Sequence, residues 1–490
     1  MRRAPFALLF TALSLLTGCM VGPRYVKPDV PATPQFKEAG ADSFKEMDGW
    51  KTAQPGDGLL RGKWWELFND AQLNELEEQV DGANQTLKEA EATFQGARAA
   101  IRARRSEMAP TVSVGASTGA ERLSANQPYF NRSQANNGVG AFSLPFDLNY
   151  EIDLWGRIRR QITSAAELAQ ASAADLETAR LSLHAELAVD YFELRSADAQ
   201  KRLLSDTVQA YQEALQLTQD RYDGGASPLS DVTQAQTQLQ TAKVAEIDVA
   251  VDRARYEHAI AILVGKPPAA LSLTPMPLTI QQPSLPGIPG ILPAQLLERR
   301  PDIAAAERRM AAANEQIGIA RTAYFPTISL SAIAGFAGTS AVNWFSWPSR
   351  MWAVGPAVSQ TLFDHGLRRA NSESAKAGYE ATVANYRQSA LTAFQQVEDN
   401  LAALRELEKE ARQQTAATES ALKSLDIFKV RYEGGVDTYL QVITSQTAAL
   451  QNQRNEIDIF RRRIEAHILL VKALGGGWEA SRLPQLTKVH

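Results

Sequence analysis

Between Phe142 and Leu154 the chain alternates with period two: Phe142, Leu144, Phe146, Leu148, Tyr150, Ile152 and Leu154 are apolar, and Ser143, Asp147, Asn149, Glu151 and Asp153 between them are polar. Such alternation predicts a strand with one face in hydrocarbon and the other in water. A second strand is signalled just upstream, where Val112, Val114 and Ala116 alternate with Thr111, Ser113 and Ser117. The second half of the chain carries a looser pair, Ile328, Leu330, Ala332 and Ala334, then Trp352, Val354, Val358 and Leu362. These patterns place strands at about 111–121, 138–154, 327–337 and 351–363. Alternation alone also fits half of a soluble sandwich, but strands of ten or more residues match a tilted bilayer crossing. The loop of the first pair holds Pro128, Tyr129, Phe130 and an Asn136-Asn137-Gly138 turn signal. That of the second holds Trp344, Phe345 and Trp347, an aromatic cluster of the kind that sits at membrane interfaces.

A helical period takes over after Gly156 and again after Gly366, each time for more than sixty residues without an interior proline. At ~1.5 Å per residue, each helix approaches ~100 Å. Leu176, Leu183, Leu187 and Leu194 recur at intervals of seven, four and seven, which suits coiled-coil packing. Each long helix ends in an Arg-Tyr-acid-Gly-Gly element, Arg221-Tyr222-Asp223-Gly224-Gly225 and Arg431-Tyr432-Glu433-Gly434-Gly435, and a shorter helix returns to about Val264 and Leu474. Two glycines supply the positive φ that a tight reversal needs. The elements lie 210 positions apart, as do Gly156 and Gly366, and Gly265 and Gly475. Pro110-Thr111-Val112-Ser113-Val114 answers Pro326-Thr327-Ile328-Ser329-Leu330 at 216. The chain therefore contains one unit twice, which governs the fold.

The resulting division is a leader, 1–18; an extended arm rich in Pro and Gly, 19–62; a first repeat, 63–264, with its hairpin tip at about 221–229; a proline-rich linker, 265–293; a second repeat, 294–477, with its tip at about 431–440; and a tail, 478–490. A helix is expected from about Leu73 to Glu107, ending before Pro110.

Composition narrows the function. A net charge of −4, with Lys and Arg scattered, lacks the footprint of a nucleic-acid binder. No run approaches the ~18 apolar residues of a spanning helix, so any crossing is made of strands. Arg2 and Arg3 before the apolar stretch Ala4 to Leu16 fit a secretory signal. Leu16-Thr17-Gly18-Cys19, ending in the sole cysteine, resembles a bacterial lipobox, with Cys19 as the lipidation site and Met20 at the position that favours the outer membrane. Covalent lipid on Cys19 is the only prosthetic group expected, and a single cysteine allows no intramolecular disulfide. The histidines at 184, 258, 365, 467 and 490 are widely spaced and read as satisfied or solvated residues, with no metal site. Neither Gly475-Gly476-Gly477 nor Gly265-Lys266 has the companions of a phosphate loop. No catalytic constellation emerges, which points away from an enzyme.

Four strands cannot close a barrel, because the smallest common ones need ~8, and an open edge in lipid leaves backbone groups unpaired. The chain must oligomerise. A dimer supplies eight strands and a trimer twelve, and physics alone does not choose.

The chain resembles bacterial outer-membrane factors of the TolC superfamily, in the OprM-like (NodT-type) lipoprotein branch. The resemblance rests on the lipobox followed by Val21-Gly22-Pro23-Arg24-Tyr25, on Trp64-Trp65-Glu66-Leu67-Phe68, on Arg300-Pro301-Asp302-Ile303 through Ala323-Tyr324-Phe325-Pro326, and on Leu263-Val264-Gly265-Lys266-Pro267-Pro268 with Ala473-Leu474-Gly475-Gly476-Gly477-Trp478. It implies a homotrimer with a twelve-stranded outer-membrane barrel, a twelve-helix periplasmic tunnel and an equatorial belt. It further implies the exit duct of a tripartite efflux pump for small toxic compounds, lipid-anchored in the outer membrane and joined to a periplasmic adaptor and an inner-membrane transporter of the RND or MFS type. Alternatives are a protein-secretion duct and a non-conducting periplasmic spacer.

Carried over by position, the tips that meet the adaptor are Arg221, Tyr222, Gly224, Gly225, Arg431, Tyr432, Gly434 and Gly435. The constriction keeps Leu440 but has Thr444 where many relatives carry an aspartate. Asp437 is a substitute acid or, by a small margin, a helix N-cap. Asp147, Asn149, Glu151 and Asp153 line the barrel lumen and suggest a mild cation preference. Because Ser227-Pro228 follows the first turn and Asp437-Thr438 the second, the second hairpin is expected to move more on opening, with Gly434 or Gly435 as its pivot.

Overall fold

The computed structural model describes residues 20–30, 36–38, 62–122, 124, 126, 138–279 and 293–485. Cys19, the leader, most of the arm, most of the 123–137 loop, residues 280–292 and His490 lie outside them.

After a 3-10 turn at Trp64–Phe68, α1 (Ala71–Ala83) and α2 (Gln85–Ser106) precede β1 (Thr111–Val114), β2 (Ser117–Glu121) and β3 (Val139–Glu151). The long α3 (Arg157–Asp223) and returning α4 (Leu229–Leu263) form the first hairpin. α5 (Pro293–Arg299), α6 (Pro301–Thr322), β4 (Thr327–Gly338), β5 (Arg350–Ser359), α7 (Leu367–Glu433) and α8 (Tyr439–Ala473) complete the order. The long helices have 67 residues each, the returning helices 35 each, and α2 and α6 22 each.

The helix expected from Leu73 to Glu107 is broken at Asn84, whose extended backbone (ψ 128°) ends α1 and starts α2. Its side chain accepts from Leu87 N at 3.0 Å and donates to Leu263 O at 2.8 Å, so α2 continues α4 end to end across the break. Arg300 does the same in the other half, donating to Ala473 O at 2.9 Å where α6 continues α8. The glycines after both returning helices permit this abutment. Gly265 (φ +70°) and Gly475 (φ +94°) lie so close to Ala83 O and Arg299 O that a Cβ would sit 2.4 and 2.0 Å from them.

The sheet has the order β1–β3–β4–β5, with β2 also on β3, all antiparallel. β1 and β2 share one register on β3. They are separated where Gly115 donates to Pro145 O at 3.1 Å and the proline has no N–H to return. Thr111 faces Asn149; 216 and 210 positions later, Thr327 faces Ser359. Even the threonine hydroxyl bonds to the facing carbonyl recur, at 3.2 and 3.3 Å. β3 stops at Glu151 and β5 at Ser359, short of 154 and 363, so Leu362 lies beyond the sheet.

The main core lies around the middle of the long helices, where Trp64, Leu73, Leu187, Tyr191, Ile303 and Tyr386 are almost fully buried. The described part of the proline-rich segment, residues 265–279, packs at this level through Leu271, Leu273 and Leu278. Its irregular backbone leaves carbonyls free, and arginines of the helices donate to them: Arg195 to Met276 O at 3.2 Å and to Pro277 O at 3.5 Å, and Arg253 to Leu273 O at 2.8 Å. Among the described residues, no helix is long and apolar enough to cross a membrane.

Candidate functional site: hairpin tips and sheet

Both tips close by one hydrogen-bond pattern. Gly225 N donates to Tyr222 O at 2.9 Å and Ala226 N to Arg221 O at 2.7 Å; Gly435 N donates to Tyr432 O at 3.0 Å and Val436 N to Arg431 O at 2.9 Å. Gly225 (φ +71°) and Gly435 (φ +74°) occupy the left-handed region that terminates the long helices. Gly224 and Gly434 do not, with φ of −80° and −74°.

The side chains at the tips differ. Arg221 reaches across to the other hairpin, donating to Tyr432 O at 3.1 Å and Glu433 O at 3.3 Å, with its guanidinium 4.7 Å from the Tyr432 ring centroid. A cation on the last carbonyls of α7 satisfies orphan acceptors and complements the helix dipole. Tyr432 is 4% exposed and packs at 5.3 Å on Tyr439, whose burial pushes its phenol up to about 12. Tyr222, the equivalent of Tyr432, is 39% exposed. Arg431 stays on its own tip and pairs with Asp437.

That pairing corrects the expectation that Asp437 caps α8. The N-cap is Thr438, without a side-chain cap bond, and the Asp437 carboxylate is turned to Arg431. Leu440 and Thr444 lie one turn apart on an exposed face of α8; the Thr444 hydroxyl donates to Leu440 O at 2.9 Å. Leu440 also borders a groove of about 580 Å3 between the hairpins, lined by Tyr211, Thr237, Thr241, Ile443 and Thr447.

At the opposite end, the register puts Val112, Phe146, Ala334 and Trp352 on one face of the sheet and Ser113, Asp147, Ile333 and Ala353 on the other. Val112, Val114, Trp352, Val354 and Val358 are 61–77% exposed, so the apolar face is uncovered in the single chain. The aromatic loop sits on this sheet's far rim: Trp344 stacks on Phe345 at 4.9 Å and contacts Phe142 at 5.4 Å, while Arg350 lies over Trp347.

Two of the four lumen candidates have other work. Glu151 is bound by both Nε and Nη2 of Arg157, at 2.9 and 2.7 Å. Asp153 accepts from Ile158 N and Arg159 N at 3.1 and 3.0 Å, capping α3, and pairs with Arg159. Their charges are neutralised where strand turns into helix, so the cation preference drawn from them loses its basis. Asp147 and Asn149 remain on the polar face. The spacing, an acid six residues before an arginine at such a turn, is the signal that identifies these pairs.

The arm begins at this same junction. Val21 N donates to Trp155 O at 3.1 Å, and the buried Arg160 donates to Val21 O at 2.8 Å while bonding Glu315 at 2.6 Å. Gly156 has no room for a Cβ because Met20 lies against it. Residue 20 is thus held where the sheet meets the helices.

A family model described as outer membrane efflux protein matches residues 76–266 and 292–476. Outer membrane protein OprJ of Pseudomonas aeruginosa is 30% identical over 489 residues, covering 98% of this chain and 98% of that protein. The toluene efflux pump outer membrane protein TtgF of Pseudomonas putida is 30% identical over 474 residues, covering 96% and 97%. Among solved structures, the outer-membrane channel OprN superposes with a TM-score of 0.83 at 30% identity, over 94% of this chain and 100% of that one. The Campylobacter jejuni CmeC outer membrane channel shares the fold, with a TM-score of 0.85 at 23% identity over 95% and 96%.

Proposed function

Since the chain belongs to the outer membrane efflux protein family, we propose that three copies close its sheet and hairpins into one passive duct, twelve strands above and twelve helical tracts below. The protein is an outer-membrane channel of an efflux pump, and such proteins act in tripartite pumps with an adaptor and an inner-membrane transporter. The observation that carries the closure is the sheet itself: four strand positions, an exposed apolar face and, among the described residues, two unpaired edges, β1/β2 and β5. Lipid cannot satisfy those edges, so other copies must.

In this reading the apolar face meets lipid, and the face bearing Asp147, Asn149 and Ser331 lines the lumen. A diacylated Cys19 fits the anchoring of Met20 and Val21 at the sheet–helix junction, which is the level of the inner leaflet. The two tips form the periplasmic mouth and meet the adaptor, with Leu440 and Thr444 at its narrowest ring. A threonine there removes the acidic ring expected of many relatives, and Asp437, neutralised by Arg431, does not replace it. The duct transfers small toxic compounds without chemistry of its own.

Planar-bilayer recording of the purified trimer tests the duct: a stable pore of weak ion selectivity is expected. A protein of trimeric mass without conductance would instead favour the spacer.

A further inference from the structure

We propose that an arginine stripe on the outward face of α2, formed by Arg98, Arg102 and Arg105, binds the phosphates of anionic phospholipids in the periplasmic leaflet of the outer membrane. The inference rests on the lipid-anchored, outer-membrane reading and adds a headgroup site to it.

The repeat locates the stripe. Residues of α6 and α2 correspond at the offset of 216 that relates Pro326 to Pro110. One face of α6 is covered by the arm: a Cβ on Gly22 would lie 2.6 Å from Gly318 Cα, Asn314 Nδ2 donates to Pro23 O at 3.4 Å, and Lys27 pairs with Glu307 at 2.8 Å. Counted back by 216, Gly318 becomes Arg102, Asn314 becomes Arg98, Glu307 becomes Glu91 and Arg321 becomes Arg105. The chain has one arm for two such faces. That arm bonds to α3, α6 and α7, and the three arginines of α2 are exposed. Their spacings of four and three keep them on one helix face.

The arm also fixes the depth. Acyl chains on Cys19 must enter lipid, so the face beneath the arm is the outer surface of the tunnel. Gly22 is three residues further on, within ~11 Å of the lipidated residue even in extended chain. Arg102 has on α2 the height that Gly318 has under Gly22, with Arg105 one turn nearer β1 and Arg98 one turn below, ~5 Å each way.

The charge suits an anionic ligand. From Ala92 to Ser106, α2 holds four arginines and no acid. Arg104 lies off the stripe and pairs with Glu107 at 2.7 Å. Arg98 meets neutral groups, Gln95 Oε1 at 3.3 Å and the Phe94 ring at 5.8 Å. On α6, by contrast, Arg308 is matched by Glu167 and Glu307, and Arg309 by Asp175. Complementing the helix dipole accounts for Arg105, but that effect falls off within the last turn, and Arg98 lies two turns earlier. Guanidinium forks take phosphate oxygens in pairs. Beside an anionic leaflet each is worth about fivefold in affinity.

Native mass spectrometry of the purified, lipidated protein tests the site, with palmitoyl-oleoyl phosphatidylglycerol or the zwitterionic phosphatidylethanolamine added to the detergent. Wild type is expected to hold phosphatidylglycerol at least tenfold more tightly. Arg102→Gln is expected to lose about fivefold of that affinity, and Arg98→Gln with Arg102→Gln and Arg105→Gln to lose the preference altogether. Arg202→Gln, roughly 70 Å along α3 from the sheet, is expected to bind as wild type. Circular dichroism checks that the variants are folded, and the single variant reads the same contact should the triple one fail to fold. Equal binding of the two lipids by wild type, or a preference that survives the substitutions, overturns the site and leaves the duct intact. Conductance separates the two readings: the triple variant is expected to conduct as wild type does, and a wild-type protein without a pore would overturn the duct instead.

Discussion

Gly434 and Gly435 are adjacent glycines with different obligations. Gly435 holds a positive φ, and alanine there costs about 1–2 kcal/mol. Gly434 is in the right-handed region, and a Cβ would meet Val430 O at an ordinary 3.5 Å. Gly435→Ala is therefore expected to reduce export in a drug-susceptibility assay with the trimer retained, and Gly434→Ala to export normally. Equal defects would show that the turn's conformation is not what matters. Histidine chemistry also separates by site. His184 Nδ1 lies 2.6 Å from Glu77 and its Nε2 3.5 Å from Asp81, and the ring stacks on Trp65 at 4.4 Å. Burial pushes Glu77 up to about 7; burial opposes the charge on His184, but its Asp81 and Glu77 bonds raise it. Glu77 therefore contributes stability at low pH that is lost as pH rises towards about 7, and His184 contributes stability that is lost as pH rises above its ordinary value. His467 has the opposite sign and is neither solvated nor fully satisfied: it is 4% exposed, with Nδ1 unpartnered. Burial, then the charge of Arg463, lowers it to about 3. Its stabilisation is present above the unfolded value near 6.5 and is lost as pH falls towards 3, by at most about 1.4 kcal/mol per pH unit. His467→Leu is expected to show a smaller drop in Tm than wild type between pH 7.5 and 5.5; an unchanged drop would assign acid sensitivity elsewhere.

The helices were the most legible elements, because a 67-residue period without proline admits few alternatives. The break at Asn84 was not legible: asparagine is tolerated inside helices, and only the carbonyl of Leu263 waiting at the end of α4 makes a cap worth more than continuity. The hairpin turns were readable as Arg-Tyr-acid-Gly-Gly, but their inequivalence was not. Identical arginines go to different partners because Arg221 finds the free carbonyls of the other tip, and Arg431 finds Asp437, which has Ser227 as its counterpart. Arg221 thus ties the hairpins together. With charge-assisted bonds worth about 1.5–3 kcal/mol, Arg221→Ala is expected to raise single-channel conductance several-fold. Unchanged conductance would show that the clamp does not restrain the mouth.

At the scale of the molecule, the sheet gives the sharpest contrast between faces. Val354→Arg on the apolar face is expected to cost about 2–4 kcal/mol near mid-bilayer and to deplete the protein from outer-membrane fractions. Ser331→Arg, on the opposite face, is expected to insert normally. Similar losses for both would mean that the apolar face does not meet lipid. By itself, the sequence determined which residues share a strand face, how long the helices run and where they reverse, since these follow from periodicity, proline placement and turn chemistry within a few residues. Only the tertiary structure decided which arginine meets which acid, that Glu151 and Asp153 serve the strand-to-helix turn, and that α2 and α6 extend the returning helices. Those choices depend on atoms brought together from positions more than a hundred residues apart or across a turn, where short-range pattern carries no distance information. Ile247 and Ile457 occupy equivalent helix positions, and only packing shows that one is exposed and the other buried.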